Sequence, residues 1–183
     1  SYCYYIKNSW QYFYYYGGIC NMGGDLNISY SNFSKNNQSG INQISGNLIF
    51  NNSTTVDNGI GIFQKDSNQT KIINSILSNG NYGFYQEDGT TTIQFNNKFL
   101  NNISAHLIQF GGSSYISGQT FSSSTYGILI NGGVSTSTNN TFENNTYGAS
   151  LSGSSSIILT NNTFKKNTLS SVPLSASVKL VHS

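Results

Sequence analysis

Asn139-Asn140-Thr141-Phe142-Glu143-Asn144-Asn145 (NNTFENN) decides how the rest of this chain is read. Near copies stand at Asn161–Asn167 (NNTFKKN) and Asn96–Asn102 (NNKFLNN), and looser ones at 30–36 (YSNFSKN), 52–58 (NSTTVDN), 73–79 (INSILSN) and 118–124 (GQTFSSS). Each sets one large apolar residue among small polar ones. The centres read as Phe33, Val56, Ile76, Phe99, Phe121, Phe142 and Phe164, spaced 20 to 23 residues apart. A period near 22 with one apolar anchor per period is the mark of a solenoid.

A second mark keeps step with the first. Gly followed by an apolar residue occurs at Gly18-Ile19, Gly40-Ile41, Gly61-Ile62, Gly83-Phe84, Gly127-Ile128 and Gly148-Ala149, with Ala105-His106 and Ser170-Ser171 filling the slot elsewhere. Between the marks run stretches of three to five residues, some alternating, as in Thr91, Ile93 and Phe95, joined by Gly and Asn corners. That is strand patterning with corners suited to the left-handed backbone region, and no 3.6-residue periodicity competes with it. The expected fold is an all-β parallel β-helix of about seven coils of ~22 residues, in which equivalent residues stack about 4.8 Å apart. It would occupy 17–183, behind an aromatic-rich segment at 1–16 that caps the first coil or docks a neighbour.

Composition narrows the function. Only 8% of the 183 residues are charged and the net charge is +2, which offers nucleic acid no basic stripe. An Asn/Ser/Gly-rich composition can signal disorder, but aromatic content of 14% and anchors held in phase argue for an ordered core. No apolar run is long enough for a transmembrane helix. Cys3 and Cys20, the two cysteines, form a candidate disulfide, which needs an oxidising compartment.

The paired marks resemble the polymorphic outer-membrane-type repeats, whose units carry GGA[ILV] and FxxN. Here they are Gly17-Gly18-Ile19 with Phe33…Asn36, Phe99…Asn102, Phe142…Asn145 and Phe164…Asn167. More broadly, 17–169 is similar to the pectin-lyase-like superfamily of right-handed parallel β-helices. Right-handedness is what that resemblance implies. It points to fold far more than to function.

The candidate sites follow. N-x-[ST] sequons at Asn27, Asn32, Asn37, Asn51, Asn52, Asn68, Asn102, Asn139, Asn144 and Asn161 are acceptors for N-linked glycans in a secreted eukaryotic protein. Tyr4, Tyr5, Trp10, Tyr12, Tyr14, Tyr15 and Tyr16, with Leu180 at the other end, are candidate subunit contacts. Asp66 and Asp88 stand 22 apart behind Lys65 and Glu87, so the period stacks them into a weak acidic row, read chiefly as solvated surface. His106 is isolated and reads as structural. No catalytic or metal-ligating constellation, and no cofactor beyond attached glycans, is expected. The expectation is an extracellular or cell-surface structural or adhesive β-solenoid glycoprotein that associates end to end and contacts surface glycans. The alternative is a carbohydrate-binding or polysaccharide-cleaving β-helix.

Overall fold

The computed structural model describes residues 4–6, 17–168 and 177–181, with side chains from 18 to 168. Three parallel sheets run along one rod. The first stacks Tyr4–Ile6, Gly17–Asn21, Ser39–Gln43, Ile60–Gln64, Tyr82–Gln86, Ala105–Gln109, Tyr126–Ile130 and Tyr147–Leu151. The second stacks Asp25–Ser29, Gly46–Asn51, Ser67–Ile73, Gly89–Gln94, Ser113–Ser117, Gly133–Thr138, Ser155–Thr160 and Ser177–Val181. The third stacks Asn32–Ser34, Thr54–Val56, Ile76–Ser78, Lys98–Leu100, Thr120–Ser122, Thr141–Glu143 and Thr163–Lys165. Each turn of chain contributes one strand to each sheet, so 17–168 makes seven coils. The expected parallel solenoid is the observed one. Tyr4–Ile6, at the start of the chain, is itself a ladder strand, with Tyr4 opposite Ile19.

The core is a set of ladders. Ile41, Ile62, Phe84, Leu107 and Ile128 stack from the first sheet, and Leu48, Phe50, Ile72, Ile93, Ile116, Ile157 and Leu159 project from the second. From the third, Phe99, Phe121, Phe142 and Phe164 stack with centroids 4.9, 5.0 and 4.9 Å apart. Register alone puts the rings face to face, because identical positions in successive coils are Cα partners.

Two anchors need correction. The register runs Phe33, Thr55, Leu77, Phe99, so the inward residues of the second and third coils are Thr55 and Leu77. Val56 is half-buried and Ile76 faces out. Hydrophobicity pointed to Val56 and Ile76, but the phase is set by the corners. Three residues before and two after every anchor, the backbone is left-handed: Asn52 and Asp57 around Thr55, Asn74 and Asn79 around Leu77, Asn139 and Asn144 around Phe142. The glycine slot of the fifth coil also shifts by one residue. His106 falls in the row with Gly83 and Gly127, and Leu107 pairs with Phe84 and Ile128. The Ser170-Ser171 slot lies outside the described residues.

The seven-residue motif now has a physical account. Its second residue and its last turn inward, and each repairs the coil before it. Asn145 Oδ1 accepts the Ser124 N–H at 3.0 Å, and Asn145 Nδ2 donates to the Phe121 carbonyl at 3.0 Å. Asn102 does the same for Gly80 and Leu77, and Asn167 for Asn145 and Phe142. At the other corner Asn97 serves Ser75 and Ile72, and Asn140 serves Gln119 and Ile116. Corner N–H and C=O groups turned into the core would otherwise be unpaired, so the asparagines hold the corners closed. Buried Gln43, Gln64, Gln86 and Gln109 fill the third corner, where Gln64 Nε2 donates to the Asp88 carbonyl.

Candidate functional site: an aromatic and carboxylate patch on the first sheet

Every buried asparagine described above is used in the backbone, so chemistry has to be sought on the outside. The outward row of the first sheet carries Phe63, Tyr85 and Ile108, one coil apart. Phe63 and Tyr85 stack at 5.5 Å, Tyr82 meets Tyr85 edge-on at 5.6 Å, and Phe110 closes on Tyr85 at 5.3 Å. Beside these rings lie the turn residues singled out in the sequence. Lys65 Nζ is 3.6 Å from Glu87 Oε2, and both side chains are half-buried. Asp66 and Asp88 are exposed in the same turn row, and Asp88 Oδ1 accepts the Gly89 N–H at 2.7 Å. Burial, then the Glu87 and Tyr82 charges, raise the Tyr85 phenol above its ordinary pKa.

Phe63 and Ile108 are buried, so what the patch can offer a ligand is the half-buried Tyr82 and Tyr85, the exposed Phe110, and two exposed carboxylates with a paired lysine. Among the described residues no three His, Cys, Asp or Glu side chains converge as a metal site. The quartet of charges was legible from the 22-residue offset. The aromatic tetrad was missed, although Phe63 and Tyr85 carry the same offset and could have been found by it.

His106 is fully buried, with its ring 6.5 Å from Phe99 and 6.1 Å from Phe121. Burial lowers its pKa to about 3, against smaller upward contributions from the Ser122 backbone and the Asn145 side chain. It is sealed from solvent and has no part in surface chemistry. A second surface feature is an open groove of about 460 Å³ lined by Lys35, Asp57, Asn79, Asn81 and Ile103.

The sequons divide by geometry. Asn27, Asn32, Asn37, Asn68, Asn139, Asn144 and Asn161 are exposed, and Asn51 and Asn52 are half-buried. Asn102 is corrected from the set: its amide is buried and holds the Gly80–Leu77 corner, so an oligosaccharide cannot be attached without unfolding that coil. Cys20 is buried, with Sγ 3.6 Å from Met22 Sδ; Cys3 lies outside the described residues. So do Trp10, Tyr12, Tyr14, Tyr15 and Tyr16 among the candidate subunit contacts. Tyr4, Tyr5 and Leu180 belong to strands that pair within the chain, Tyr5 with Cys20 and Leu180 with Leu159.

The family model of a right-handed beta helix region matches residues 94–182. Comparison with curated proteins and with solved structures gives no match. The matched span opens in the fourth coil and includes the whole Phe99-to-Phe164 stack.

Proposed function

This chain belongs to the right-handed parallel β-helix superfamily, and from that premise we propose that it is a structural or adhesive β-solenoid of the cell exterior, carrying N-linked glycans on its outward corners. The family holds pectate lyases and glycoside hydrolases as well as proteins without catalysis, so the fold alone favours neither. One observation carries the structural reading. The asparagines that dominate the repeat are committed to corner ladders, coil after coil, and what they produce is a stiff rod. The exposed sequons supply the second element. Asn139 and Asn161 stand one coil apart at a left-handed corner, so glycans there would project in a row from one edge. End-to-end association belongs to the same reading: a parallel ladder is extended by any strand of matching period, and a second copy presents one.

A second reading rests on the Phe63–Tyr82–Tyr85–Phe110 cluster beside Glu87 and Asp88. Rings with a polar rim suit the faces and hydroxyls of a polysaccharide.

Glycopeptide mapping of native protein, run beside binding and depolymerisation assays on neutral and acidic polysaccharides, separates the two. Occupied Asn139 or Asn161 without polysaccharide cleavage supports the structural reading. Cleavage abolished by Asp88→Ala overturns it in favour of the enzyme.

A further inference from the structure

Tyr126 and Tyr147 occupy the same position in the sixth and seventh coils of the first sheet and are Cα partners. Their rings are nearly parallel, at 12°, with centroids 4.9 Å apart. Both are half-buried, so the pair is held by the sheet yet reachable from solvent. Below them in the row stands Ala105, with no ring. Among the described residues no other two tyrosines stack in this way. Tyr82 and Tyr85 meet at 80°, edge to face, and Tyr85 stacks on Phe63, which has no hydroxyl. The phenylalanine stack has the same spacing, but Phe99, Phe121 and Phe142 are sealed in the core and none of its rings has an oxidisable phenol.

We propose that Tyr126 and Tyr147 form an intrachain dityrosine cross-link that staples the sixth coil to the seventh. The oxidant is hydrogen peroxide used by a haem peroxidase. Each phenol gives up one electron and one proton to become a phenoxyl radical. The two radicals join through the ring carbons ortho to oxygen, and the hydrogen on each of those carbons then moves to the phenolic oxygen, which restores the hydroxyl as the ring regains aromaticity. One C–C bond forms, two C–H bonds are lost, and the peroxide is reduced to two waters. Stacking supplies the proximity that a radical pair otherwise finds only by diffusion. The strand ladder keeps both rings in place while the oxidant acts. The cross-link closes a loop of one coil and restrains separation of neighbouring strands, as a disulfide would. It suits a rod exposed to an oxidising exterior, but its chemistry does not depend on that setting.

The test treats dilute full-length protein with a haem peroxidase and hydrogen peroxide, isolates the monomer, and cleaves it after glutamate. Glu143 is the one acidic residue between the two tyrosines, so cleavage there parts them unless they are bonded. The expected result is dityrosine fluorescence in the monomer and a joined pair of peptides flanking Glu143, lighter than their sum by two hydrogen atoms. Tyr147→Phe keeps the stacked ring and should lose both signals while folding as before by circular dichroism. Coupling that appears only between molecules, or monomer fluorescence equal in Tyr147→Phe, overturns the assignment. Asn139, Asn144 and Asn161 lie on these same two peptides, so N-glycans are removed enzymatically before mapping; failure of the cross-link and failure of the structural reading are then distinguishable.

Discussion

Where the fourth coil passes into the fifth, Asn102 Nδ2 lies 2.9 Å from His106 Nδ1. Asn102 Nδ2 also donates to the Leu77 carbonyl, so the imidazole nitrogen facing it is an acceptor and the ring proton sits on Nε2. A single amide thus holds a backbone corner and fixes a histidine tautomer. His106 is where a glycine stands in the coils on either side, and the asparagine row above it is filled by the smaller Ser124, which leaves room for the ring.

Acid should therefore attack the rod at its middle. The folded pKa of His106, about 3, lies below its unfolded value near 6.5. The unfolded chain binds the proton first, so this contribution is fully present above about pH 6.5 and is lost as pH falls toward about 3. The slope is at most about 1.4 kcal/mol per pH unit. Protonation would also turn Nδ1 into a donor aimed at the Asn102 donor. Urea unfolding across that pH range should show the loss in the wild type, and His106→Gln should flatten it.

The corner ladders predict unequal asparagines. Asn145→Ala leaves the Ser124 N–H and the Phe121 carbonyl unpaired inside the rod, at about 1–3 kcal/mol for each group. Asn37→Ala, an exposed substitution, should stay within about 0.5 kcal/mol. Chemical denaturation of the two variants checks the contrast, and equal losses would refute the ladder account.

That contrast also marks what the sequence made legible. FxxN reported a real inward amide, since Asn36, Asn102, Asn145 and Asn167 all follow their anchor by three residues, and the period gave the Lys65–Glu87 pairing. The anchors Val56 and Ile76 were misread because apolarity was weighed ahead of corner phase. Thr55 lies inward despite its hydroxyl, and Ile76 outward despite its side chain, because Asp57 and Asn79 fix the turn. Asn102 looked like any other sequon, since the pattern N-x-[ST] carries no information about which way the amide turns. The aromatic patch was legible in part, since Phe63 and Tyr85 share the 22-residue offset and Tyr82 lies in the same strand as Tyr85, but the approach of Phe110 emerges only once the coils are stacked.

Phenylalanine stacking should dominate the core. Phe142→Ala removes a fully buried ring that touches Phe121 and Phe164, at about 3–5 kcal/mol. Thermal unfolding would read it directly. Phe142→Leu should recover much of the loss, as Leu77 already occupies this row.

Gly127 is fixed by space. A Cβ there would lie 2.3 Å from the Gly148 carbonyl oxygen and 2.7 Å from Phe142 Cδ1. Gly118 has open space around it but a φ of 70°. Gly127→Ala should therefore destabilise the rod far more than Gly118→Ala, for which about 1 kcal/mol is expected from backbone conformation alone. Soluble yield and melting temperature of the two variants decide it.

The central claim is that this repeat builds a rigid, glycan-bearing rod whose role is mechanical. Negative-stain electron microscopy of native material tests it most directly. The account predicts straight rods or end-to-end filaments with an axial repeat of one subunit. Discrete single particles that depolymerise a polysaccharide and show no end-to-end contacts would contradict it.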